Sequence, residues 1–201
     1  ESLAGWLENV DFVFHLAGVN RPKDVSEFTH GNVAFTQQLC AALEATGKPV
    51  PVLYTSSIQA QKDNPYGISK REAEEALAAY GARTGAVIHC YRLPNVFGKW
   101  ARPDYNSAVA TFCARIANGQ AIEIHDPNAS IQLVYIDDVM KAFLKSLENA
   151  GDQKATCMVE PVYTITVGAL AAQLQAFRDS RDSHITERVG TGLTRALYAT
   201  Y

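Results

Sequence analysis

The chain has 201 residues, 47% of them hydrophobic and 19% charged, with a formal net charge of -3 and a pI near 6.0. That suits one compact domain with a buried core, and the mild acidity with scattered basic residues argues against nucleic-acid or anionic-membrane binding. No run of about 18 apolar residues and no basic-then-apolar leader occurs, so a soluble cytoplasmic protein is expected.

A helix-like stretch over residues 1–8 opens the chain. Residues 12–16 follow, four of the five apolar, which predicts a strand buried on both faces of a helix-covered parallel sheet. Ser26 precedes a helical pattern carrying Phe28, Phe35, Leu39, Ala42 and Leu43, stopped by Gly47 and Pro49. Residues 51–55 read as a second buried strand ending in Ser56 and Ser57. Asn64 and Pro65 then start a helix, as an N-cap and a first-turn residue, and Gly81 and Gly85 close it.

Residues 86–92 read as a third strand, leading into the run from Leu93 to Gly98. A helix is predicted over 108–118, then a strand at 133–136 and a helix from Asp137 through Leu147. The last fifty residues hold a short strand at 162–165, a helix capped by Thr166, and a short helical pattern after Gly190-Thr191-Gly192. Strands separated by helices of this length imply an α/β fold, a parallel sheet flanked by helices, in one domain. The four cysteines (Cys40, Cys90, Cys113, Cys157) show no C-x-x-C spacing and read as reduced thiols. His15 and His89, in or beside buried strands, read as structural. His30, His125 and His184 are scattered, so no metal site is expected.

The chemistry centres on Tyr66-Gly67-Ile68-Ser69-Lys70. At about 100° per residue, Lys70, Ala73, Leu77 and Tyr80 share the face of Tyr66. This places a lysine in the apolar stripe, where an unpartnered ammonium is costly. A cation beside a phenol favours the phenolate and would bring its pKa of about 10 closer to neutrality. The same spacing also suits an ordinary amphipathic helix in which Tyr66 packs and Lys70 pairs with Glu74. Ser57, at the carboxyl end of a buried strand, lies where ligands bind in open α/β sheets; an ST-turn leaving the strand is the structural alternative.

Several stretches in this order resemble the extended short-chain dehydrogenase/reductase family, also described as the NAD-dependent epimerase/dehydratase family. They are His15-Leu16-Ala17-Gly18, Tyr54-Thr55-Ser56-Ser57, Tyr66 to Lys70, Arg92 to Gly98, and Val134-Tyr135-Ile136-Asp137-Asp138-Val139. More narrowly, HLAGVNRP at residue 15, NPYGISK at residue 64 and GTGLTRALYATY at residue 190 are similar to capsular polysaccharide synthesis enzymes of the CapF type.

That resemblance implies a Rossmann-like fold with a small C-terminal α/β substrate-side portion, built from residues near 93–130 and 155–201. It implies NADPH-dependent reduction of a UDP-linked 4-keto-6-deoxy-N-acetylhexosamine in bacterial capsular or O-antigen biosynthesis, with NAD as the alternative cofactor. Tyr66 would be the general acid, Lys70 would hold the nicotinamide ribose, and Ser57 would polarise the carbonyl. Leu16, Ala17, Gly18, Ser56, Leu93 and Pro94 would line the cofactor alongside Tyr66 and Lys70. Asn95, Asn20 and Arg21 would meet the substrate. The intact protein would be a homodimer.

The family's glycine-rich pyrophosphate turn has no counterpart here, and no acidic or basic selector of NAD or NADP is identifiable. The chain therefore reads as a fragment lacking the first three strands and the C-terminal cupin domain, inactive by itself, with an apolar sheet edge at residues 12–16. Relatives often carry an Arg before the Tyr135-Ile136-Asp137-Asp138 stretch, where Ile131 and Gln132 stand here. Two other activities remain open from sequence. One is a nucleotide-sugar 4-epimerase or 4,6-dehydratase with bound NAD, although Ile58 and Gln59 replace the acidic pair a dehydratase needs beside its serine. The other is a catalytically silent Rossmann-like redox-sensing or interaction domain.

Overall fold

The computed structural model describes residues 3–152, 157–185 and 187–201, leaving aside the side chain of Ala4. The chain divides into two compact units, Glu1–Leu93 with Lys141–Val159, and Pro94–Met140 with Glu160–Tyr201. Sequence patterning indicated one domain; the structure builds two apolar cores.

In the first unit, β1 (Val13–His15), β2 (Val52–Ser57) and β3 (Ile88–Leu93) form a parallel sheet in the order β1-β2-β3. Val13 pairs with Val52, and Ser57 pairs with Leu93. Strand β2 is central and dry: Val52, Leu53 and Tyr54 are essentially fully buried. Strand β1 pairs only with β2 among the described residues. His15 packs on one face, against Phe35 and Tyr54, and Phe14 on the other, against Phe12 and Phe143, the alternation expected of a strand. Both faces are thus packed, but the expected burial is incomplete, since Phe14 is 39% exposed.

The helices α1 (Leu3–Leu7), α3 (Phe35–Ala45) and α4 (Pro65–Thr84) accompany this sheet. Leu39, Leu43, Val52, Tyr54, Leu77 and Tyr80 belong to one core cluster. Helix α4 has the ends its sequence prescribes. Asn64 Oδ1 accepts from Gly67 N at 2.8 Å, Pro65 occupies the first turn, and Gly85 adopts a left-handed φ of 78° that ends the helix. The predicted helix from Ser26 is not uniform. A turn α2 (Ser26–Phe28) runs into a π-helical stretch, Thr29–Ala34, before α3. In that wide stretch Gly31 lies against Val19, where a Cβ would come within 2.3 Å of Val19 Cγ2, and Asn32 is turned inward.

The second unit has its own sheet, with β4 (Asn95–Phe97) parallel to β5 (Ser130–Tyr135) and β6 (Tyr163–Thr166) antiparallel to β5. This sheet is mixed, whereas the sheet of the first unit is parallel throughout, as expected. Helices α5 (Ala108–Ala117), α7 (Val167–Ser183) and α8 (Gly192–Thr200) bring Phe112, Ile116, Leu170, Leu174, Phe177 and Leu197 to the core of this unit. Ser107 and Thr166 cap α5 and α7 by accepting from Ala110 N and Ala169 N, each at 3.2 Å. Helix α6 (Ile136–Glu148) follows β5 directly. Among the described residues no helix is long and apolar enough to cross a membrane.

Candidate active site

The carboxyl ends of β1 and β2 and the first turns of α4 bring the key side chains together within the first unit. Strand β2 delivers Thr55, Ser56 and Ser57 in succession. Ser57 Oγ accepts from Gln59 N at 3.2 Å, which turns the chain into a short 3-10 helix, Ile58–Gln61. That helix packs so tightly on α4 that a Cβ on Gly67 would lie 2.2 Å from Gln59 O and 2.5 Å from Lys62 O. Only a glycine lets Tyr66 and Ser57 approach in this way.

Tyr66 is half-buried, with Phe28 at 5.6 Å between ring centroids. Burial raises the Tyr66 phenol above its ordinary value, and the nearby Ser57 side chain only partly opposes this. This corrects the expectation that the lysine would draw the phenol toward neutrality. Desolvation of the phenolate is the larger effect, so Tyr66 stays protonated at neutral pH.

Lys70 is 5% exposed. Its Nζ donates to Thr55 O at 3.0 Å and stands 5.0 Å from the Tyr54 ring centroid and 5.9 Å from that of Tyr66. The first distance is within reach of a cation–π contact. Burial lowers the ammonium from 10.5 to about 8, against the opposing influence of Cys90 and Glu74. The surface pairing of Lys70 with Glu74 that its spacing allowed is replaced by this inward geometry. Glu74 instead takes Arg92, Nη2 to Oε2 at 2.6 Å, and accepts from Ser56 Oγ.

Gly18 closes the cluster: a Cβ there would stand 3.0 Å from Asn32 Oδ1 and 3.1 Å from Lys70 Nζ. Leu16 and Ala17 are exposed beside it. Leu93 is nearly buried and pairs with Ser57 across the sheet. The Ser56 hydroxyl is committed to Glu74. Asn20 and Arg21 lie exposed in the loop between β1 and α2. Pro94 and Asn95 belong to the second unit, where Asn95 Nδ2 donates to Gln132 O at 3.1 Å.

His15 is structural, as expected. Its Nε2 bonds Thr36 Oγ1 at 2.7 Å, and burial, reinforced by the Lys70 charge, lowers it to about 4, so it is neutral. His89 Nε2 meets Ala150 O at 3.3 Å. All four cysteines are free thiols.

Asn32 was not anticipated. It is 1% exposed; it accepts from Val19 N at 2.7 Å and donates to Val19 O at 3.0 Å and to Ser69 Oγ at 2.9 Å. It thus latches the loop after β1 to α4, between Tyr66 and Lys70. The available signal was an amide inside a helical run, three residues before an apolar stripe.

With this geometry in hand, comparison with known proteins is direct. Residues 1–159 match the NAD dependent epimerase/dehydratase family. The chain is 54% identical over 195 residues to a UDP-2-acetamido-2,6-beta-L-arabino-hexul-4-ose reductase of Pseudomonas aeruginosa, covering 97% of this chain and 52% of that protein. It is similar to the crystal structure of the capsular polysaccharide assembling protein CapF from Staphylococcus aureus, with 35% identity and a TM-score of 0.87, over 98% of this chain and 53% of that one. The chain therefore spans about half the length of these relatives. MoeE5, solved in complex with UDP-glucose and NAD, shares the fold at 21% identity and a TM-score of 0.83, over all of this chain and 81% of its own. The match over most of the chain and the high identity to a reductase lead to one conclusion: this protein belongs to the NAD-dependent epimerase/dehydratase family.

Proposed function

We propose that the intact protein reduces a UDP-linked 4-keto-6-deoxy-N-acetylhexosamine with NADPH in polysaccharide biosynthesis, and that Ser57, Tyr66 and Lys70 are its proton-handling centre. The observation that carries this reading is the buried ammonium of Lys70, bonded to Thr55 O at the strand end that carries Ser57 and standing 5.9 Å from the Tyr66 ring centroid. The reductase relative at 54% identity supports the substrate class.

The residues of this chain suit a nicotinamide cofactor. Gly18 is exposed and bare of a side chain, and a Cβ there would stand 3.1 Å from Lys70 Nζ, so the glycine brings the backbone close to the amine that would hold a ribose. Gly18, Ala17, Leu16, Lys70 and Leu93 would hold that end, and the reduced nicotinamide, when bound, supplies a hydride. Pro94 as a cofactor neighbour, and Asn95, Asn20 and Arg21 as substrate contacts, enter the proposal through family likeness.

The chain's own part is acid catalysis. Tyr66 is held protonated by burial, the state a general acid needs to give a proton to a carbonyl oxygen at neutral pH. Ser57 donates to the same oxygen and polarises it. Lys70 places a positive charge where the phenolate forms, which lowers the cost of proton loss at that moment. The first unit is then the cofactor side and the second the substrate side. We also propose that the intact protein is a cytoplasmic homodimer, its four free thiols suiting a reducing compartment. The 201-residue segment alone is proposed to be inactive, because no glycine-rich pyrophosphate turn occurs in it.

Incubation of the full-length protein with the keto-sugar nucleotide and either NADPH or NADH tests the reading. Stoichiometric consumption of NADPH with a 4-hydroxy product is expected. Redox-neutral turnover, with no coenzyme consumed, would favour the epimerase or dehydratase chemistry instead.

A further inference from the structure

Behind Ser57 and Tyr66, one buried carboxylate is bound by a guanidinium and lies one helical turn from Lys70. That carboxylate is Glu74 of α4, its side chain 13% exposed. It takes the Arg92 guanidinium through three contacts, Nη2 to Oε2 at 2.6 Å, Nε to Oε1 at 3.0 Å and Nε to Oε2 at 3.2 Å, while Ser56 Oγ donates to Oε1. The groups that act on Lys70 are His15 on β1, Tyr54 on β2, Tyr66 and Glu74 on α4, and Cys90 on β3, with Arg92 joined to the set through Glu74.

Of these, only some carry charge at neutral pH. His15 is neutral, because burial holds it at about 4. The phenols of Tyr54 and Tyr66 are protonated, both raised by burial. Cys90 can influence Lys70 as an anion only once its thiol ionises, and burial pushes that up to about 12. Glu74 is left as the anion of the set, paired with Arg92 and acting on Lys70 from one helical turn away.

We propose that Glu74 is a positioning residue for Lys70: its carboxylate is the counter-charge that keeps the buried amine an ammonium, Arg92 limits how much of that charge the amine receives, and the Ser56 bond fixes the strand end whose Thr55 carbonyl accepts from it. The proposal rests on Ser57, Tyr66 and Lys70 being the reaction centre. Its two halves predict shifts of opposite sign. Without the carboxylate the amine faces a lone guanidinium and loses its proton more readily. Without the guanidinium the carboxylate acts on the amine alone and holds the proton more firmly.

The test follows the Lys70 side-chain titration by NMR in lysine-labelled full-length protein, the Lys70 signal being the one absent from Lys70→Met. Glu74→Gln is expected to lower the ammonium-to-amine ratio at a given pH by about tenfold, and Arg92→Gln to raise it by about tenfold, the size of one nearby charge. Glu74→Asp, which keeps the charge, should restore most of the ratio. Circular dichroism checks each fold, and either Gln variant alone, if folded, decides by its sign. An unchanged titration in Glu74→Gln, or a shift in the same direction in both variants, overturns the proposal and leaves the reaction centre standing. A wild-type Lys70 that titrates as a solvated lysine would instead overturn the reaction centre.

Discussion

Lys70→Met should make the protein no less stable at neutral pH, and should abolish a stability gain in alkali that wild type draws from this residue. Lys70 is 5% exposed, and burial lowers its ammonium from 10.5 to about 8. A basic group depressed on folding binds its proton more tightly in the unfolded chain. Unfolding therefore takes up a proton between the two values, and stability rises with pH across that window. The contribution of Lys70 is fully present above 10.5 and is lost as the pH falls through about 8. From about pH 7.5 to about pH 10 this linkage amounts to about 2 kcal/mol.

Other groups titrate in the same range with the opposite sign. Burial raises Cys40 to about 11, and Cys90 and Cys113 to about 12, so their contributions fall as the pH rises. The observable is therefore the difference between wild type and Lys70→Met, in which those groups largely cancel. Urea unfolding followed by circular dichroism at the two pH values gives it directly. Wild type should gain about 2 kcal/mol on the variant over that interval. At the lower pH, the variant sheds the desolvation cost but loses the bond to Thr55 O and the contact with the Tyr54 ring. A difference that is flat, or that shrinks with rising pH, would show that the ammonium is not held at a cost and would refute the reasoning.

Three further outcomes follow from the same geometry. Gly67→Ala forces a methyl to within 2.2 Å of Gln59 O and should destabilise by about 1–3 kcal/mol, the usual cost of overpacking, read as a lower urea midpoint. Tyr54→Phe removes a buried hydroxyl with no hydrogen-bond partner among the described residues while keeping the ring under Lys70; it should be neutral or stabilising by about 1 kcal/mol in thermal unfolding. His15 contributes stability that is present above 6.5 and lost as the pH falls toward about 4. Its replacement by Gln should therefore flatten the acid limb of the stability curve by about 3 kcal/mol.

Helix α4 was legible residue by residue. Its ends are set by local chemistry, the Asn64 cap and the left-handed Gly85, and its buried face of Lys70, Ala73, Leu77 and Tyr80 follows from periodicity alone. Strand β2 was equally plain, being apolar from Val52 to Tyr54 and central. What sequence could not resolve depended on partners far along the chain. The apolar run at 12–16 matches a buried strand in composition, but nothing local says that Phe14 is only partly covered, by Phe12 and Phe143. The π-helical stretch keeps a helical pattern and differs only in how it turns Asn32 under Val19. Glu74 and Arg92 are eighteen residues apart and meet through the sheet. The direction of the Tyr66 shift is set by burial, which the nearby Ser57 side chain only partly opposes and which spacing does not weigh.

The central claim is most directly tested by the turnover of Tyr66→Phe in full-length protein, with unfolding measured alongside. Loss of the phenolic proton should cut keto-sugar reduction by about 100- to 10,000-fold at neutral pH while the fold persists. A folded Tyr66→Phe protein that reduces the keto-sugar at the wild-type rate would contradict the account.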